Sequence, residues 1–381
     1  MNENWQQATN ILCVRLDALG DLLMTTPAMR ALKGTSAARR ITLLASLAGA
    51  EVAALVPEVD SVIAYEAPWM KATAPRPDSQ PDFAMIERLK ESKFDAAVIF
   101  TVYSQNPLPA AFMCYLADIP LRLAHCRENP YQLLTDWVPD LEPDRMVRHE
   151  VRRQLDLVAR VGSQTDNERL SLRVGRSDLE RAAHILDNLG VDRKRPWIII
   201  HPGATAASRR YPPESFAAAG RRLVLEFGIQ PVFTGSAQEA ALIDCIRSLL
   251  GDALSYSLAG QLNLRELVAL IALAPLLISN NTGPAHIAAA VGTPVVDLYA
   301  LTNPQHIPWQ VPHRVLSHDV ACKYCYKSIC PEGHHNCLRL VTPDQVVWAA
   351  LELLHETSPG LLMLPAGATR ERPSAKESCG Y

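Results

Sequence analysis

The chain has 381 residues, of which 48% are hydrophobic and 20% charged, and its formal net charge is -3. That length exceeds what one core usually serves, so two domains are expected, with ample chain for large cores. The slight acidity excludes a general nucleic-acid binder, and no run of eighteen apolar residues is present to build a membrane-spanning helix. The opening MNENWQQATN is polar and has neither the positive region nor the apolar core of a secretory signal, so a cytoplasmic protein is expected. Nine cysteines, an odd number with four crowded between Cys322 and Cys337, fit reduced thiols better than a secreted disulfide framework.

In chain order, residues 11–16 are a short apolar strand, and Asp17-Ala18-Leu19-Gly20-Asp21 turns it into a helix beginning near Leu22, which Pro27 should bend or restart. Asp21 then stands at a helix start beyond the carboxyl end of a strand, where it is either a helix cap or a general base. Further strands are expected at residues 41–46, 61–65 and 96–101, with a helix at 83–92 and a proline-rich surface loop at 68–81. Residues 122–153 hold several arginines with His125 and His149; most read as solvated charge, and Arg122 and Arg127 are the candidates for an anionic acceptor. A helix at 150–161 closes the first half, and the polar stretch 162–173 reads as a linker.

The second half repeats the alternation of strand and helix. A helix is expected at 178–189, a strand at 197–201, then a loop with Ser208, Arg209 and Arg210, and a helix from Pro212-Pro213-Glu214 through Phe227. The next strand, 231–235, precedes a helix containing Glu239, and a helix at 264–274 follows. The stretch 273–304 says most about function: a buried strand at 276–278 runs through Asn280, Asn281, Thr282, Gly283 and Pro284 into an alanine-rich helix at 285–291, and a strand follows at 295–299. Thr282 can cap this helix, Gly283 permits close approach of a ligand, and Pro284 suits a first turn. Such a helix start points free N–H groups and a positive dipole end at the crevice, as a phosphate requires. His286, one turn in, either lines that crevice or packs inside. A closing helix at 343–355 and a disordered tail over 357–381 complete the chain.

The cysteines Cys322, Cys325, Cys330 and Cys337 are spaced C-x2-C-x4-C-x6-C, with His334 and His335 close by. Four soft ligands within sixteen residues point to a structural metal site, zinc first and iron second, with free thiols or two disulfides as the alternatives.

Four stretches in order, RLDALGDLLMTTPAMRALK, HPGATAASRRYPPESFA, FTGSAQEAALI and SNNTGPAHIAAAVGTPVVDLY, resemble glycosyltransferase family nine, the ADP-heptose:lipopolysaccharide heptosyltransferases. The resemblance covers about residues 10 to 350. It departs at Asn281, where the family usually has Asp. It implies an α/β chain of GT-B architecture: a Rossmann-like acceptor domain over residues 1–170 and a Rossmann-like nucleotide-sugar domain over 171–356. It further implies that Asp21 takes the proton from the acceptor hydroxyl, that Arg209, with Arg210 and Ser208 beside it, meets the donor diphosphate, and that Glu239 accepts from the donor ribose. Asn281, Thr282, Gly283 and His286 would line the donor pocket. The partners implied are ADP-heptose and a saccharide or lipid-linked saccharide such as the lipopolysaccharide inner core, with at most peripheral contact at the inner face of the inner membrane. No Asp-x-Asp pair occurs to hold a catalytic metal, so no cofactor is expected for an inverting transfer. The alternatives are a nucleotide-sugar epimerase or hydrolase of the same fold, and a non-catalytic carbohydrate-binding protein.

Overall fold

A computed structural model describes residues 3–71 and 73–360. Its twelve strands form two six-stranded sheets, all of whose pairings are parallel. The first sheet holds β1 (Asn10–Arg15), β2 (Arg40–Ala45), β3 (Ser61–Ala64), β4 (Ala96–Ile99), β5 (Leu121–Cys126) and β6 (Asp136–Pro139) in the order β3-β2-β1-β4-β5-β6. The second holds β7 (Trp197–His201), β8 (Gln230–Phe233), β9 (Tyr256–Ser257), β10 (Leu277–Asn280), β11 (Val295–Leu298) and β12 (His313–Leu316) in the order β12-β11-β10-β7-β8-β9. The two orders are the same doubly wound topology used twice. In each, the chain reverses direction across the sheet beside its first strand, at β1/β4 and at β7/β10, and open parallel sheets bind ligands at such switch points.

Central strands such as β4, β7 and β10 are buried along their whole length because helices cover both faces of each sheet, while the edge strands β6, β9 and β12 are only partly buried. Successive side chains alternate between faces. Ile11 and Cys13 therefore enter one core while Leu12 and Val14 enter another, and Ile199 and Ile198 divide in the same way. One core belongs to the first sheet alone, one to the second alone, and the third runs through both halves. Residues 162–175 hold no regular element and are tied to the first half: Arg30 Nη1 donates to the carbonyls of Asn167 and Arg169 at 2.8 and 2.7 Å, and the Arg173 N–H donates to the Leu55 carbonyl at 2.7 Å.

The helix after β1 starts at Leu19, earlier than expected, and is restarted at Pro27 as expected: Leu19–Leu23 is followed by Thr26–Gly34, with Pro27 in the first turn of the second, where its missing N–H costs nothing. A short helix, Glu3–Gln7, was not foreseen in the polar N-terminus; its lone large apolar residue, Trp5, is fully buried. The closing helix, Pro343–Thr357, packs on Pro213–Phe227 and against β11 and β12, within the core of the second half. Of the expected tail, Thr357 ends this helix and residues 361–381 lie outside the described ones.

Candidate functional site

The switch points gather the sequence motifs. Asp17 to Asp21 follow β1, Pro202 to Arg210 follow β7, and Asn281 to Gly283 follow β10. The helix Leu19–Leu23 of the first half then meets the helix Gly283–Val291 of the second start to start. A Cβ on Gly20 would lie 2.5 Å from His286 Cδ2, and one on Gly283 would lie 3.4 Å from Leu19 Cδ2, so the two motifs touch directly.

Asp21 sits in the first turn of its helix, behind Ala18 at the N-cap, whose backbone N–H favours the charged carboxylate. Its Oδ1 is 3.6 Å from Arg15 Nη2 and 3.7 Å from His306 Nε2, and 21% of its side chain is accessible. Arg15, fully buried at the end of β1, also pairs with Asp17 at 2.9 Å and with buried Glu150 at 2.9 Å. One guanidinium therefore faces three carboxylates. Burial raises the Asp21 carboxyl above its usual range and Glu150 adds to this, while Arg15, Arg209 and the Ala18 N–H pull it down. A carboxylate biased toward holding a proton, with one face open, can serve as a general base.

On the facing side, Arg209 is half-buried, and its charge acts on Asp21, His286, Asp297 and His306. Among the described residues its guanidinium has no hydrogen bond or ion pair. Arg210 is exposed and donates from Nε to the Ala204 carbonyl at 2.8 Å. Ser208 turns away from the donor role expected of it: its hydroxyl donates to the Lys327 carbonyl at 2.8 Å and its N–H to that of Ser328 at 3.0 Å, which fastens the cysteine-rich loop. Glu239 closes a capping box with Ser236 and lies over Gly203, where a Cβ would sit 1.9 Å from its Oε1. Thr282 occupies the N-cap position in extended backbone, but its hydroxyl donates to the Asn280 carbonyl at 3.3 Å and does not cap the helix. His286 is buried beside Gly20, and burial together with His149 and Arg209 lowers its imidazole to about 3, so it is neutral.

Asn281 is buried and donates through Nδ2 to Asp297 Oδ2 at 2.8 Å and to the His306 carbonyl at 2.9 Å. An aspartate there has no side-chain N–H to donate to either partner and would set a second acid beside Asp297. The residue at which the chain departs from the resemblance is thus matched by a carboxylate on the adjoining strand. Burial pushes the Asp297 carboxyl up to about 8, against the pull of Asn281 and Arg209.

Arg122 and Arg127 are built into the fold. Arg122 is buried and donates to the carbonyls of Leu133, Gln132 and Ile119, while Arg127 donates to those of Tyr103 and Glu142. Carbonyls of irregular backbone take these guanidinium donors; Arg122 is thereby buried away from solvent, while Arg127 stays exposed with only its Nη2 engaged among the described residues. A cavity of about 830 Å³ opens instead beside Asp17, lined by Tyr65, Trp69, Lys71, Gln105 and Asn106 of the first half and by Thr205 of the second.

The cysteine-rich loop lies across both halves: Tyr326 meets the Tyr103 hydroxyl, and Lys71 Nζ is 3.4 Å from Ser328 Oγ. Cys322, Cys325, Cys330 and Cys337 line one small cavity with His334, and Cys322 Sγ is 3.8 Å from His334 Nε2. Among the described residues, however, no group of three or more His, Cys, Asp or Glu side chains is arranged to hold a metal ion, and all eight described cysteines are free. The expected zinc or iron site is therefore not supported.

Sequence reasoning missed Arg15, Glu150, Asp297 and His306. A charged residue inside an apolar strand was the available signal for Arg15 and Asp297; Glu150 and His306 carried none.

The family model for glycosyltransferase family 9 (heptosyltransferase) matches residues 83–336, more than half of the chain. Lipopolysaccharide heptosyltransferase 2 of Salmonella typhimurium is 27% identical over 362 residues, covering 91% of this chain and 99% of that protein. Its Escherichia coli counterpart is 26% identical over 352 residues, covering 88% and 96%. Among solved structures, a family 9 glycosyl transferase from Veillonella parvula superposes with a TM-score of 0.75 at 21% identity, covering 91% of this chain and 97% of that one. The E. coli ADP-heptose lps heptosyltransferase II superposes at 0.71 and 25% identity, covering 91% and 99%. With two doubly wound sheets of GT-B architecture and a family match over most of its length, this chain belongs to glycosyltransferase family 9 and is a glycosyltransferase.

Proposed function

We propose that this glycosyltransferase moves a heptose from ADP-heptose to a saccharide acceptor, such as the lipopolysaccharide inner core, in the cytoplasm. The names of its relatives support the donor and the pathway. The observation that carries the chemistry is the packing of the helix start that bears Asp21 against the Thr282-Gly283 helix start, with Arg209 close enough for its charge to act on Asp21. The acceptor hydroxyl attacks the anomeric carbon from the face opposite the diphosphate, so the new C–O bond inverts that centre as the bond to ADP breaks. The hydroxyl proton passes to the Asp21 carboxylate. The electron pair leaves with ADP, whose growing charge is met by the Arg209 guanidinium and the N–H groups of the helix start. The chain has no Asp-x-Asp pair, and we assign the role of a catalytic cation to Arg209. Glu239 and His286 complete the donor pocket and Arg210 borders it. Residues 171–356 are assigned to the donor and 1–170 to the acceptor, which occupies the cavity beside Asp17.

The test is incubation with ADP-heptose, with and without an inner-core saccharide, followed by ADP release and NMR of the product anomer. ADP release that depends on acceptor and gives an inverted linkage supports the reading. Release of free heptose at the same rate without acceptor would assign a hydrolase instead.

A further inference from the structure

His306 lies in the loop after β11, outside every motif, yet its backbone is clamped at three consecutive residues. The Gln305 carbonyl accepts the Glu150 N–H at 3.0 Å, the His306 carbonyl accepts Asn281 Nδ2 at 2.9 Å, and the Ile307 carbonyl meets His149 Nε2 at 2.8 Å. The His306 N–H faces the Tyr299 hydroxyl at 3.3 Å, and the ring of His149 stacks on Trp309 with centroids 4.4 Å apart. Both halves thus hold one imidazole in place: the first through the start of the helix Glu150–Ala159, the second through the donor turn. The ring ends with Nε2 buried, without a hydrogen-bond partner among the described residues, 3.7 Å from Asp21 Oδ1. Burial, with His286, Arg209, Arg15 and His149 around it, keeps the imidazole neutral. A neutral ring can donate an N–H to a carboxylate without forming an ion pair that would quench its basicity. Catalytic hydrogen bonds are often long before substrates bind and tighten afterwards.

We propose that His306 is a positioning residue for Asp21, donating its Nε2–H to orient the carboxylate, and that Asn281 holds it there from the donor turn. This rests on Asp21 being the base. The other groups facing Asp21 are Arg15 from β1, Glu150 from its helix, Arg209 from the loop after β7, and the Ala18 N–H; Asp17 shares Arg15. An N–H donated to the charged carboxylate favours that form. Its loss therefore moves the acidic limb of the kcat profile to higher pH.

The experiment compares His306→Phe, His306→Gln and Asp21→Asn by kcat, KM, pH profile and ADP calorimetry. The Phe variant is expected to lose kcat by about ten- to a hundredfold, with ADP affinity within about twofold of the parent and the acidic limb raised; Gln, which keeps an N–H, recovers most of both. Parent-like kcat and an unmoved limb in the Phe variant overturn the proposal, as does a Gln variant no better than Phe. If Asp21→Asn retains turnover, the base assignment itself falls; if it is inactive while His306→Phe is normal, only the present inference falls. A further arm is the exchange Asn281→Asp with Asp297→Asn. It restores the bond between those two positions but not the donor to the His306 carbonyl, so its melting temperature should recover from that of Asn281→Asp while kcat stays low. Recovery of kcat in this exchange would remove Asn281 from the scheme.

Discussion

At the scale of single residues, the site separates a base from a cation. Asp21→Asn keeps shape and can no longer accept a proton, so kcat is expected to fall by about a hundred- to ten-thousandfold with ADP affinity unchanged. Calorimetry beside steady-state rates checks this, and parent-like turnover would leave Asp21 as a helix-start carboxylate only. Arg209→Ala removes a charge-assisted contact to the diphosphate, a loss of roughly 1.5 to 3 kcal/mol in ADP binding. Unchanged ADP affinity in the folded variant would refute the assignment. The same reasoning predicts little from Ser208→Ala on ADP affinity, because that hydroxyl already donates to the Lys327 carbonyl.

At the scale of elements, the two helix starts work as one unit, and Gly20 is the point of contact. The only room for its Cβ is 2.5 Å from His286 Cδ2, so Gly20→Ala must push the two helices apart or tilt the imidazole. Overpacking of this kind typically costs about 1 to 3 kcal/mol. The melting temperature should fall, and kcat should fall further than stability explains, since the base and the donor turn separate. Gly34→Ala is the control: a Cβ there meets nothing within 4 Å, and alanine replaces glycine at a helical position, so stability should hold or rise. Equal effects of the two substitutions would show that the Gly20 contact does not matter.

At the scale of the whole molecule, the buried Asp297 makes folding stability depend on pH. Its carboxyl titrates at about 8 in the folded chain against an ordinary value of 3.8. Between those values the folded protein holds a proton that the unfolded chain has lost, so this group's contribution to stability falls as pH rises from about 4 to about 8 and is flat above. An amide in its place does not titrate. Asp297→Asn should therefore gain on the parent steadily between about pH 5 and 8, read as the difference in melting temperature at each pH. A constant difference across that range would show that Asp297 is ionised in the folded state throughout it.

The sequence by itself determined the architecture and the places where chemistry gathers. Runs such as Ile198-Ile199-Ile200 and Leu277-Ile278 are buried on both faces, so their local composition already specified parallel strands, and loop composition marked the turns after β1, β7 and β10. Helix starts were legible for the same reason, since Pro27, Pro213 and Pro284 act on their own backbone. Only the tertiary structure decided which charges meet. Arg15 and Glu150 are distant in the chain and adjoin only because the helix Glu150–Ala159 packs on the helix Thr26–Gly34 and on β5, and His306 reaches Asp21 only across the junction of the halves. Arg122 and Arg127 look alike in sequence to arginines that bind anions, yet in the fold both donate to backbone carbonyls that are distant in the chain, and Arg122 is buried. Periodicity and capping act within a few residues, whereas burial and electrostatic pairing are set by neighbours that only folding brings together.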